Sequence, residues 1–291
     1  MTIKNYQITT DSGCDLSLEH CQKLDVVPYK MPYTMDGETF IDTMDEEGFI
    51  NFYRMMRNGG VATTSQINPF AYQTFWRSFA ENGTPVLHIS LGSAISGSYA
   101  NSLLAIEMLK EEFPDWVCRV VDSKNASAGF GLLVLRAVKN RDDGMDIEEN
   151  ALDLDGVAHN VNSIFTTADL QYLYRGGRVS KVAAAFGTAL NIVPIMHLDH
   201  AGSLEVWLKA RGKKLAKARI IKEISNLVTD AENQTLIISE ADAIDKAKDY
   251  GKALVEACGF RDVFYTHIGP IIGAHTGPGL ISIFFVGKER V

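Results

Sequence analysis

The sequence predicts an α/β protein of two domains: an N-terminal Rossmann-like parallel α/β/α domain and a C-terminal α/β domain with a mixed sheet, with a ligand held between them. Three observations lead there. At 291 residues the chain is long for a single hydrophobic core. In its first half, short β-rich runs alternate with amphipathic helical patterns, the order that builds a parallel sheet covered on both faces. In its second half, two adjoining strand-like runs read as a hairpin, which implies a mixed sheet.

Taken in order, Tyr6–Thr9, Val26–Tyr29, Pro85–Ile89 and Cys118–Val121 read as strands. Between them, Leu16–Leu24, Asp45–Asn58, Pro69–Glu81, Gly97–Phe113 and Ser127–Arg141 read as helices. Beyond the middle of the chain, Ile192–Leu198 and Ser203–Lys209 flank a turn at Asp199–Gly202. A helix over Lys213–Asp230, a strand at Leu236–Ser239, a helix over Asp242–Cys258 and two closing strands follow. The domain boundary is expected between Asn160 and Asp169, dividing the chain into residues 1–163 and 164–291.

Composition narrows the class of function. Apolar residues make up 46% and charged residues 22%, as in ordinary globular proteins. A formal charge of −8 argues against attraction of the whole molecule to nucleic acid or anionic membrane. Cys14, Cys21, Cys118 and Cys258 show neither a C-x-x-C pair nor zinc spacing, so reduced thiols in a cytoplasmic protein are expected. No basic segment followed by an apolar one opens the chain, as a secretory signal would. The apolar stretch from Gly269 to Gly287 is interrupted by prolines and glycines and reads as loop and strand. Neither G-x-x-x-x-G-K-[ST] nor G-x-G-x-x-G occurs, so nothing marks a site for ATP or a dinucleotide, and no cofactor or metal is expected.

Ligands of open α/β sheets sit beyond the carboxyl ends of the strands. Four loops there carry hydroxyls: Thr10–Gly13, Thr63–Gln66, Gly92–Ser98 and Asp122-Ser123, which together would line a crevice suited to an anion. Ser96 reads as a helix N-cap, and a hydroxyl-rich helix start is also an anion site. Asn68 and Pro69 are a helix start signal that leaves Thr63, Thr64, Ser65 and Gln66 free for a polar ligand. Helix punctuation accounts for Gly176, Gly177 and Ser180, but not for Arg175 and Arg178, whose guanidinium groups suit a carboxylate or phosphate. His275 lies in what reads as a glycine-proline loop, Ile268–Gly279. His197 and His200 flank Asp199 at a predicted hairpin tip, a solvated position more than a metal site. Lys209, Arg211, Lys213, Lys214, Lys217, Arg219 and Lys222 form the one strong basic cluster, either a solvated helix face or a docking patch for an acidic partner.

These stretches together resemble the DegV family. The resemblance rests on T-D-S-x-x-D-L at Thr10–Leu16, T-S-Q at Thr64–Gln66 and S-x-x-S-G-[ST]-Y at Ser93–Tyr99. It continues through V-D-S at Val121–Ser123, G-G-R-[IV]-S at Gly176–Ser180 and I-G-x-x-x-x-x-H-x-G-x-G around His275. Gly92 stands where members often have a serine, and Ile67 where many have a proline.

The resemblance implies a fatty-acid-binding protein, in bacteria the non-catalytic carrier subunit of a fatty acid kinase. Its bound ligand would be a long-chain acid such as palmitate or stearate, in a buried tunnel. An ATP-binding kinase subunit would phosphorylate the carboxylate for phospholipid synthesis, with room for transient contact with a membrane surface. The family's head-group contacts would fall on Thr64, Thr63, Ser93 and Ser96, completed by Arg175 and His275, with Arg178 and Arg211 facing the kinase. Burying an acyl tail yields on the order of 10 kcal/mol gross, at ~0.8 kcal/mol per methylene, and association costs remove much of it. Two alternatives stand beside this reading. One is an acyl hydrolase or transferase using Ser93 or Ser96 with His275. The other is a lipid sensor without a kinase partner.

Overall fold

The computed structural model describes residues 5–167, 169–179 and 191–290. From the N-terminus run β1 (Gln7–Asp11), α1 (Leu18–Lys23), β2 (Val26–Tyr29), β3 (Pro32–Met35), β4 (Glu38–Ile41), α2 (Glu46–Arg57), β5 (Ala62–Thr64), α3 (Pro69–Glu81), β6 (Val86–Ser90), α4 (Ser98–Glu112), β7 (Cys118–Asp122), α5 (Ala128–Asp142) and α6 (Ile147–Ala158). There follow β8 (Val161–Thr166), α7 (Gln171–Arg175), β9 (Ile192–Leu198), β10 (Leu204–Arg211), α8 (Lys213–Leu227), β11 (Thr235–Glu240), α9 (Ile244–Cys258), β12 (Asp262–His267), α10 (Pro270–Thr276) and β13 (Ile281–Val286).

Strands β2, β1, β6 and β7, in that order, form a four-stranded parallel sheet. Strand alternation sends Val86 to one face, against Tyr72 and Trp76 of α3 and Leu109 of α4. Leu87 and Ile89 go to the other, against Phe130 and Val134 of α5 and Leu154 of α6. Both faces are therefore covered, as expected. The caps are local: Asn68 accepts the Ala71 N–H at 2.9 Å with Pro69 in the first turn, and Asp146 and Glu149 form a capping box on α6.

The second sheet has six strands in the order β10-β9-β8-β13-β11-β12, antiparallel except for the β11–β12 pair. Ile281, Ile283 and Phe285 face Ile220 and Ile224 of α8 and Leu254 of α9. The intervening Phe284 packs instead against Ala128, at the start of α5. One face of the mixed sheet thus carries its own helices, and the other meets the parallel domain.

Several elements depart from expectation. A three-stranded antiparallel sheet, β4-β3-β5, is inserted after β2 and sets Thr64 opposite Tyr33. Its strands are only three or four residues long, too short for a clear alternation. Helix α6 and strand β8 also went unread. The stretch read as a glycine-proline loop holds α10, which begins at Pro270 and ends before Gly277. Gly273 looks like a breaker, yet a Cβ there would lie 2.7 Å from Phe52 and 2.6 Å from the Tyr53 hydroxyl. Packing against α2 requires it. Helix α4 starts one residue later than expected, with Gly97 as its N-cap, although Ser96 Oγ still accepts the Ser98 N–H at 3.2 Å. Residue 163 falls inside β8, so we propose the division between domains at the turn before Val161.

Candidate functional site

Where the two sheets meet, a cavity with about 780 Å³ of empty space, its open side included, is enclosed by elements of both. Phe165 of β8 and Phe284 of β13 line one side, Ile271 and Ile272 of α10 another, and Leu91 and Ile95 after β6 a third. Thr64, Arg178 and His275 line it too, and the same three line a second recess of about 770 Å³ together with Thr63, Tyr172 and Arg175. They form the polar partition between the apolar cavity and the outer recess.

The partition is built from distant segments. Thr64 ends β5, and its Oγ1 lies 2.7 Å from His275 Nε2 in the last turn of α10. The other ring nitrogen, Nδ1, is buried with no hydrogen-bond partner among the described residues. Burial, reinforced by the Arg178 charge, pushes the His275 pKa down to about 4, so the ring is neutral at pH 7. Its close approach to the chain requires Gly176, where a Cβ would sit 2.2 Å from Nδ1. Half-buried Arg178 donates to the Ile95 carbonyl at 3.2 and 3.1 Å and also to the Gly176 carbonyl. Burial lowers its pKa. A hydroxyl, a neutral imidazole and a guanidinium beside an apolar cavity can accept a carboxylate whose tail lies within.

The other residues singled out in the sequence fall elsewhere. Ser96 lines the inner cavity and donates to Ser98 Oγ at 3.0 Å. Ser93 is exposed and lines neither cavity; Asp122 accepts its hydroxyl at 2.6 Å and its N–H at 3.0 Å. Thr63 is exposed on the outer recess. Arg175 lines that recess with its guanidinium 4.6 Å from the centre of the Tyr172 ring. Arg211 is exposed at the end of β10 and lines neither cavity. Ser180 lies outside the described residues. The expected pooling of four hydroxyl loops is thus corrected, since only Thr64–Gln66 and part of Gly92–Ser98 reach the cavity. A serine–histidine pair for hydrolysis is not formed, because Thr64 occupies His275 Nε2 and both serines donate elsewhere.

The loop Thr10–Gly13 is buried and holds the fold. Asp11 accepts the Gly13 N–H at 3.0 Å and the Leu91 N–H at 3.3 Å. Asp15 accepts the Ser127 hydroxyl and, at 2.9 Å, the Gly269 N–H, tying α5 to α10. Asp42 accepts the Met44 N–H at 2.9 Å. Burial pushes Asp11 and Asp42 up to about 6 and Asp15 well above its ordinary range. Sequence reading placed Asp15 in a motif without giving it a role and missed Asp42; no local pattern signals the burial of either.

His197 is in β9, stacked on Trp207, rather than at the hairpin tip. His200 gathers with His159 and Glu289 within 4.8 Å, but the two imidazoles stack at 4.0 Å and 19°. Their in-plane lone pairs do not converge on one ion. No helix among the described residues is long and apolar enough to cross a membrane.

A family model described as "Uncharacterised protein, DegV family" matches residues 5–288. A DegV domain-containing protein of Clostridium perfringens is 32% identical, over 99% of both chains. A fatty acid (stearic acid)-binding protein of Eubacterium ventriosum superposes with a TM-score of 0.86 at 26% identity, over 97% of this chain and 98% of that one. A DegV family protein of Thermus thermophilus, whose structure is described as showing fatty acid binding, gives 0.85 at 26% identity over 97% and 99%. With its parallel and mixed sheets, its motifs in order and these likenesses over nearly its whole length, the chain belongs to the DegV family.

Proposed function

We propose that this protein binds a long-chain fatty acid in the cavity between its sheets and presents the carboxylate to an ATP-dependent kinase subunit, without catalysing the transfer itself. One observation carries the reading: an apolar cavity that ends on the Thr64–His275 pair with Arg178 beside it. A buried carboxylate needs donors and a nearby cation, and all three residues supply them. The likeness to the stearic acid-binding protein of Eubacterium ventriosum supports the same ligand class. The carboxylate end adjoins the outer recess, which gives a kinase a route to it. Exposed Arg211, Lys213 and Lys214 at the start of α8 offer a positive surface on an otherwise acidic protein, suited to steering an acidic partner. A cytoplasmic carrier fits this role.

Mass spectrometry of an organic extract of the freshly purified protein tests the ligand. A stoichiometric saturated or unsaturated long-chain acid is expected. If none is extracted and neither palmitate nor stearate binds when added, the reading fails. Formation of acyl phosphate only when ATP, loaded protein and a kinase subunit are combined tests the presentation step.

A further inference from the structure

The cavity is not apolar throughout. Ser127, Ser163 and Ser282 also line it, and all three are at least 95% buried. They line the inner cavity and not the outer recess. Their hydrogen bonding is incomplete in a specific way. Ser163 donates to Asn125 Oδ1 at 2.6 Å and Ser127 donates to Asp15, which leaves both oxygens able to accept. The Ser282 hydroxyl has no hydrogen-bond partner among the described residues. Directly opposite it on β11 is Ser239, fully buried, whose hydroxyl likewise has none. Cross-strand partners share a face of the sheet, so two unpaired hydroxyls lie on one face of it, and Ser282 is the one that lines the cavity.

Buried hydroxyls are normally paired, and an unpaired one carries a desolvation cost. A wall that only had to hold methylenes would be served better by alanine. From this polar seam, and resting on the fatty-acid reading above, we infer that the preferred ligand is a long-chain acid carrying an oxygen function along its chain, such as a hydroxy fatty acid. Ser282 donates to that oxygen, while Ser163 or Ser127 accepts from it. In an all-apolar tunnel the same hydroxyl would be stripped of water without compensation and rejected.

The test compares stearate with 9-, 10- and 12-hydroxystearate by displacement of a fluorescent fatty acid. At least one hydroxystearate is expected to bind as tightly as stearate or more tightly. Ser282→Ala should weaken that hydroxy acid about tenfold, as expected for one hydrogen bond, and leave stearate unchanged. Ser163→Ala serves as the second variant, with a smaller loss. The inference is overturned if every hydroxystearate binds more than tenfold worse than stearate, or if Ser282→Ala weakens both acids equally. Failure of all four acids to bind would instead sink the fatty-acid reading on which it rests.

Discussion

His275 Nε2 and Thr64 Oγ1 lie 2.7 Å apart across 211 residues of chain. The contact joins the inserted three-stranded sheet to α10, which leads into β13 of the mixed sheet, so an anion bound there would touch segments from both halves of the chain. Thr64→Val keeps the side-chain shape and removes the hydroxyl. Fatty-acid affinity should fall by about 1–2 kcal/mol, the value of one hydrogen bond to a charged group. Ser93→Ala, at an exposed serine held by Asp122, should leave affinity unchanged. Calorimetric titration with palmitate checks both, and an unaltered Thr64→Val would move the carboxylate elsewhere.

Gly176→Ala puts a methyl group where the His275 ring now lies. The ring or the chain must shift, at a cost of about 1–3 kcal/mol typical of overpacking. A lower melting temperature together with weakened palmitate binding is the expected result. Loss of stability with full affinity would show that the orientation of His275 does not matter to the ligand.

The two arginines around the Gly-Gly pair should separate. Arg178 is half-buried on the cavity wall, whereas Arg175 stands in the outer recess against Tyr172. Arg178→Ala should therefore lower palmitate affinity, and Arg175→Ala and Arg211→Ala should leave it intact. The latter two should lower acyl-phosphate formation with a kinase subunit. Equal palmitate affinity in all three variants would place the supporting charge elsewhere.

Asp42 gives a pH dependence with a definite sign. Its folded pKa is raised from 3.8 to about 6 by burial, so between those values the native state binds more protons than the unfolded one. The stability it contributes is complete below the unfolded pKa and lost as pH rises through 6. Asp42→Asn retains an oxygen for the Met44 N–H and removes the titration. Between pH 4 and pH 8 the variant should lose about 3 kcal/mol less stability than the parent, the worth of a shift of that size. Asp11 and Asp15 keep a residual slope of the same sign, and His275, with its lowered pKa, opposes it between 6.5 and about 4. Urea unfolding at several pH values measures the difference; identical slopes would refute it.

Local chemistry made much of the fold legible. Alternation identified all four parallel strands, and the Asn68-Pro69 start signal identified α3, because these patterns act over a few residues. Elements stabilised by distant partners were not legible. Helix α10 contains Gly273 where propensity disfavours a helix and is flanked by Gly269 and Gly277, and the packing of Phe52 and Tyr53 against Gly273 decides otherwise.

The same division runs through the site. The sequence by itself determined the two-domain α/β order and the motifs that hold Thr64, Ser96, Arg178 and His275. Only the tertiary structure decided which hydroxyl meets which partner. Ser93 and Ser96 are three residues apart, yet one is turned to Asp122 at the surface and the other to the cavity. No local pattern singled out Ser163 or Ser282, and only the pairing of β8 with β13 set both on the cavity wall. A side chain's chemistry travels with its residue, but its burial depends on distant segments, as where β8 and β13, more than a hundred residues apart, bring Ser163 and Ser282 to one wall, and exists only once the sheet has formed.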